Sequence, residues 1–253
     1  KFGKNLTQKL GIDIQNSICF ANRDSSYLEQ LLPDQNMNHH NYRNFSIQDY
    51  CDGIKYLTKK NYSVLRMGSN VAERFNFEGK NIIDYADSDV QSDFLDIYLM
   101  AKCKYGVYAD GGISAISEIY RRPILYINYT GFTNLPSWTQ FGRVIFKKFK
   151  DISTGKYVSY HDIFNTFPVH ELLSSGKWEE YGIEIVDNCR QEILEAIIEM
   201  DATVNGCFEM NELDYYLQNK FWDIFGNTVR VGDNFKVASS FLRSNKGLLE
   251  ANG

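Results

Sequence analysis

Apolar and polar positions along residues 17–130 alternate between two periods. Short apolar runs at Ser17–Ala21 (SICFA), Tyr62–Met67 (YSVLRM), Lys104–Ala109 (KYGVYA) and Ile124–Asn128 (ILYIN) have the length of buried strands. Asn81–Tyr85 (NIIDY) is a weaker one. For SICFA, length by itself leaves helix open. Between these runs the spacing changes to that of amphipathic helices. Ser46 begins S-x-x-D ahead of Ile47, Tyr50, Ile54 and Leu57, and Ser88-x-x-Gln91 precedes Phe94, Ile97, Tyr98 and Ala101. Ser114–Tyr120 is a further short helix. Strands separated by helices of this length predict crossover connections, hence an α/β fold: a Rossmann-like parallel sheet with flanking helices. In such sheets ligands gather at the carboxyl ends of the strands.

The second half is less regular. Residues 131–180 are rich in aromatics and turn signals, with a basic knot at Lys147, Lys148 and Lys150. Ile183–Val186 reads as a last strand, Gln191–Met200 as an amphipathic helix, and Glu209–Phe225 as a longer helix ending at Gly226. The expected organisation is a lead-in over 1–16, a Rossmann-like domain over 17–200, and a C-terminal helical segment over 201–253 that packs on it.

Composition narrows the partners. The 253-residue chain has a formal net charge of -5, and a general polyanion binder is usually basic, so nucleic acid is not an expected partner. No run approaches the ~20 apolar residues of a membrane span, although peripheral association with a membrane face stays compatible with the pattern. Five cysteines without close spacing point to free thiols, a reducing cytoplasmic setting and no zinc site. The chain opens on Lys1 without Met, which leaves room for an N-terminal half before it.

Candidate chemistry clusters after the strands. Arg23 follows the first strand within Asn22-Arg23-Asp24; its guanidinium suits phosphate oxygens, and Asp24 could orient it or act as a base, with a surface ion pair as the alternative. In the loop His39-His40-Asn41-Tyr42-Arg43, His40 is a candidate base, because imidazole titrates near working pH, and Arg43 a candidate substrate contact. Adjacent histidines without an acidic or cysteine partner argue against metal, and an ordinary polar loop is the plainer account. Arg66 ends the second strand ahead of Gly68 and Ser69, offering either a second phosphate contact or a structural ion pair. Asp110-Gly111-Gly112-Ile113-Ser114-Ala115-Ile116-Ser117 forms a strand–turn–helix step whose backbone N–H groups favour anions, although it lacks G-x-G-x-x-G and a phosphate-loop lysine. Asp87-Ser88-Asp89 spells D-x-D, a metal-binding pattern, but its place at a predicted helix start makes capping the preferred reading.

The stretches CFANRDSSYL (19–28), HNYRNFSIQDY (40–50), YSVLRMGS (62–69), IIDYADSDVQSDFLDIYLMAKC (82–103) and YRRPILYIN (120–128) together resemble a family of bacterial surface-polysaccharide glycosyltransferases, with ASSFLRSN (238–245) a fainter echo. The resemblance implies the donor-binding half of a GT-B architecture, a nucleotide-sugar donor, a glycan acceptor, no obligatory metal and no cofactor. The chain is also distantly similar to the fucosyltransferase superfamily, in which an arginine after an early strand holds the donor diphosphate. Arg23 is the matching position, with Gly112, Ser114 and Ser117 in the later donor loop. N-R-D departs from that superfamily's H-x-R-R-G-D. The expected function is therefore sugar transfer from a nucleotide-activated donor to a hydroxyl of a surface glycan, at the inner face of the membrane. A GT-B sugar-nucleotide epimerase and a non-catalytic binding module of a polysaccharide-assembly complex are the alternatives.

Overall fold

The computed structural model describes residues 11–69, 71–132, 135, 141–226 and 235–250. Its centre is a seven-stranded sheet of β1 (Ser17–Ala21), β2 (Ser63–Arg66), β3 (Ile82–Asp84), β4 (Tyr105–Tyr108), β5 (Ile124–Tyr129), β6 (Gly142–Phe146) and β10 (Phe235–Val237). The order across the sheet is β3-β2-β1-β4-β5-β6-β10, and every neighbouring pair is parallel. Parallel strands are covered on both faces, which is why β1, β4, β5 and β6 are buried at every position and read as unbroken apolar runs. The strand order reverses between β1 and β4, as in Rossmann folds, so a crevice opens beyond their carboxyl ends.

The helices divide between the two sides. Following β1 come α1 (Ser26–Leu31) and α2 (Cys51–Lys59); α2 packs on α7 (Arg190–Val204). The next two, α3 (Asp93–Lys102) and α4 (Ser114–Ile119), pack on each other. Ser46 caps the turn that leads into α2, its Oγ accepting from Gln48 N at 3.1 Å, as the S-x-x-D signal predicts. Ser88 does not start α3. It follows the 3-10 turn Tyr85–Asp87 and donates to Tyr85 O at 2.8 Å, while Ser92 caps the helix one turn later. The physical reason is Tyr85: its fully buried ring and its hydroxyl, which accepts from Ser92 N at 3.1 Å, stop the chain from turning helical earlier. Asp87 of the D-x-D pattern therefore lies in that turn and not at the helix start.

The aromatic second half folds onto the same core. A small antiparallel sheet joins β7 (Lys148–Asp151), β8 (Tyr157–Val158) and β9 (Ile183–Val186), and α5 (Tyr160–Thr166) and α6 (Val169–Ser175) lie between β8 and β9 in the chain. Phe132, Phe146, Phe149, Tyr160 and Phe225 pack ring on ring, with Phe132 stacked on Phe146 at 4.6 Å between centroids. The C-terminal segment supplies two helices, α8 (Glu212–Phe225) and α9 (Ser239–Ser244), and also a strand that periodicity did not show. β10 lies beside β6 because α8 holds it there: Gln218 bonds both the N–H and the carbonyl of Val237. Glu199 of α7 then accepts from Ser239 N and Ser240 N, each at 3.0 Å, and pairs with Arg143 of β6 at 3.0 Å. No helix among the described residues is long and apolar enough to cross a membrane.

Candidate functional site

A cleft of about 670 Å³ lies at the reversal of strand order. Ala21, Asn22 and Arg23 after β1, Met67, Gly68 and Ser69 after β2, and Ala109, Gly111 and Gly112 after β4 contribute to its wall. Tyr27 and Leu28 of α1, His40 and Arg43 of the following loop, and Asp96 and Met100 of α3 complete the enclosure. The volume falls within the ~300–1,000 Å³ usual for small-molecule sites.

The loop that carries His40 and Arg43 is a 3-10 turn, Asn38–Arg43, and it is fixed from three directions. Arg23 Nη1 donates to His40 O at 2.9 Å and to Asn44 Oδ1 at 2.6 Å. The buried Lys147 ammonium donates to Tyr42 O at 2.8 Å and Asn44 O at 3.0 Å, and pairs with Asp187 at 2.6 Å. Tyr42 donates to Leu173 O of α6 at 2.6 Å. Gly176, the left-handed residue that ends α6 (φ 70°), lies so close to the His39 backbone that a Cβ would overlap it. Residues more than a hundred positions away thus place the two cationic candidates over β1.

The electrostatics of this end are those of crowded cations. Burial, with Arg43 next to it, pushes the Arg23 guanidinium down to about 10, which still leaves it charged at neutral pH. Arg43 Nη2 lies 2.6 Å from His40 Nδ1, and its Nη1 is 4.0 Å from Asp110 Oδ1. Burial and the flanking Arg43 push His40 down to about 4. Since a guanidinium can only donate, Nδ1 is the acceptor and Nε2 carries the hydrogen. Neutral His40 is therefore a donor at neutral pH, and the expectation that it serves as a base does not fit this environment.

Asp24 is equally committed. Its Oδ1 accepts from Ser26 N and its Oδ2 from Ala72 N, both at 3.1 Å, so the side chain shapes the start of α1 and ties down the loop after β2. Asp110 borders the cleft without lining it; its Oδ2 accepts from Thr130 at 2.9 Å. Gly111 and Gly112 do line it. Neither has the positive φ that demands glycine, and a Cβ at Gly112 would meet no atom within 4 Å. Their smallness keeps room in the cleft where the fold has no other need of it. Among the described residues, the N–H groups of Gly111, Gly112 and Ile113 donate no hydrogen bond.

Three expected residues lie elsewhere. Arg66 is 1% exposed and turned toward β3, where it pairs with Asp84 at 3.3 Å and donates to Glu73 O at 2.5 Å. Ser114 is buried and donates to Gly111 O at 3.0 Å and Glu118 at 2.8 Å, stitching its own turn. Ser117 lies between Tyr108, at 2.9 Å, and Met100 O, at 3.2 Å, within the helix–sheet packing. A helix of six residues turns its hydroxyls at both positions toward the core.

No family model, curated protein or solved structure matches the chain. The cleft itself carries the functional argument.

Sequence reasoning missed Asp96 and the methionines. Asp96 lines the cleft one turn before Met100, and its carboxyl is raised above the usual range by burial first, then by Asp93. The available signal was spacing: Asp96 flanks the stripe of Leu95 and Leu99, both fully buried, so it stands at the margin of the packed face.

Proposed function

We propose that this chain binds a nucleotide-activated sugar in the cleft and forms the donor side of a metal-independent glycosyltransferase acting on a hydroxyl of a surface glycan. The observation that carries the reading is the pair Arg23 and Arg43. These are half-buried guanidiniums in one cleft that repel each other, with Asp110, 4.0 Å from Arg43, as a counter-charge that also acts on Arg23. A diphosphate supplies the missing negative charge. Arg23 keeps its fork partly free, since only Nη1 is hydrogen-bonded among the described residues. Charge that develops on a departing diphosphate would be stabilised by donors already in position: the two arginines, His40 Nε2–H and the backbone around Gly111 and Gly112. The sugar-transfer part of the reading rests on the resemblance of the sequence motifs, and a cytoplasmic setting at the membrane's inner face goes with it.

One observation favours a second reading, a binding module without catalysis. Both oxygens of Asp24 are bonded to backbone and His40 is a weak base, so neither first candidate is free to take a proton from an acceptor. Calorimetry with a panel of nucleoside diphosphates tests the shared core of both readings. Arg23→Ala is expected to weaken diphosphate binding about 10–100-fold, the scale of a charge-assisted hydrogen bond, with the unliganded protein still folded and its thermal midpoint lowered only by the loss of the Nη1 bonds to the 38–44 segment. Equal affinity in wild type and variant would sink it. Incubation with a nucleotide sugar and glycan acceptor then separates transfer from binding.

A further inference from the structure

The cleft is chemically two-ended. Arg23, Arg43 and His40 gather where β1 and β4 end, whereas Asp96 and Met100 of α3 face the loop after β2. Gln91, just ahead of α3, fastens that loop by donating to Gly68 O at 2.7 Å. Burial, with Asp93 close by, raises the Asp96 carboxyl, and a hydrogen bond with the Tyr85 hydroxyl partly offsets this.

Around the cleft the carboxylates are taken. Asp24 holds two backbone N–H groups, Asp110 holds Thr130, Glu73 holds Ser46 at 2.6 Å and Ile47 N at 2.7 Å, and Glu118 holds Ser114 and Tyr126. Asp96 is only partly taken: the Tyr85 hydroxyl bonds its carboxyl, but its Oδ1 is enclosed and makes no hydrogen bond among the described residues. A buried carboxylate oxygen without a donor is costly, and such a group is retained where a donor arrives from outside. Met67 and Met100 beside it are flexible side chains that can shift to admit one.

We propose that Asp96 accepts hydrogen bonds from a vicinal diol of the bound ligand, so that the cleft reads an anion at the arginine end and sugar hydroxyls at the α3 end. This rests on the donor-binding reading above and deepens it. The diol is that of the ribose or that of the transferred sugar, and Asp96 holds it while the arginines hold the phosphates between. Because burial raises the Asp96 carboxyl, its ionised form opposes folding: the stability it contributes is complete below the unfolded value and lost as pH rises through the folded one. Asp96→Asn therefore folds at least as well as wild type at pH 7.

The test is calorimetry on wild type, Asp96→Asn and Asp96→Ala with inorganic pyrophosphate, with UDP, GDP and CDP, and with their 2′,3′-dideoxy counterparts; UDP-glucose against UDP forms the second arm. A ribose diol predicts that wild type prefers the ribonucleotide about tenfold over its dideoxy form. A transferred-sugar diol predicts the same preference for UDP-glucose over UDP. In either case Asp96→Ala loses the preference, Asp96→Asn keeps at most part of it through its single acceptor oxygen, and both keep their pyrophosphate affinity. If nucleotides bind and neither preference exists, or if Asp96→Ala retains it in full, the Asp96 assignment is overturned while the donor reading stands. If neither the nucleotides nor pyrophosphate bind, both fall.

Discussion

Arg23 and Arg66 stand at the ends of neighbouring parallel strands, and the fold treats them in opposite ways. Arg66 is the last residue of β2, in register with Asp84 on β3. The cross-strand neighbour is thus a carboxylate, and the guanidinium is drawn sideways into a pair at 3.3 Å beneath Phe75, 1% exposed. Arg23 comes two residues after β1, beyond the ladder, where no strand partner faces it. It reaches upward to the 38–45 loop through Nη1 and shares a cleft with a second cation. Past the last rung of the sheet Arg23 lines the cleft, whereas Arg66 on the last rung is held by its strand neighbour.

That contrast breaks most visibly on stability. Arg66→Ala leaves Asp84 beside a hole in the sheet edge and is expected to cost about 3 kcal/mol, the lower end for breaking a buried pair, since Asp84 is partly exposed. Urea unfolding reads this directly, and a loss below about 1 kcal/mol would mean that Arg66 is not the structural member of the two. Arg23→Ala should show the reverse profile, with diphosphate binding strongly weakened and a smaller loss of stability than Arg66→Ala, since only its Nη1 bonds to the loop are removed.

A smaller effect tests the cleft wall. Gly112 has an ordinary φ and open space at its Cβ, so Gly112→Ala should stabilise the free protein by about 0.4–1 kcal/mol through the unfolded chain. The added methyl enters the cleft and should weaken nucleoside diphosphate binding several-fold. Stabilisation with unchanged affinity would detach this turn from the ligand. The smallest effect is spectroscopic. His40 should titrate near 4 in the free protein, against about 6.5 for an unperturbed imidazole. The depressed value means that its contribution to stability is present above pH 6.5 and lost as pH falls toward 4. Proton NMR of the ring follows this, and saturating pyrophosphate should move the titration upward by neutralising Arg43 and Arg23. An unshifted His40 titration would place the anion away from the arginines.

The local signals were strong where the chain's own periodicity decides the outcome. β1, β4 and β5 read as apolar runs because parallel strands are buried on both faces, and the stripe of Ile47, Tyr50, Ile54 and Leu57 leading through α2 follows from spacing. The parallel Rossmann-like sheet is therefore a property of the amino-acid sequence alone. Strands such as β10, three residues of modest character, depend on Gln218 and on β6 to exist as strands at all. No local pattern announces them.

The site divides in the same way. That Arg23, Arg43, Gly111 and Gly112 lie near strand ends was legible, since each follows a recognisable run. Which side chains meet was not. Arg66 was captured by Asp84 through inter-strand register, Ser114 and Ser117 by the direction of a short helix, and Asp24 by two backbone N–H groups. Burial and Arg43 hold the His40 imidazole down, and Asp96 enters the cleft from the margin of the packed face of α3. Lys147, Leu173 and Gly176 set the loop that completes the cation pair from the far half of the chain. Sequence determines which element a residue belongs to, because that depends on near neighbours. Tertiary structure decided what each polar group bonds to, because those partners come together only when distant segments pack.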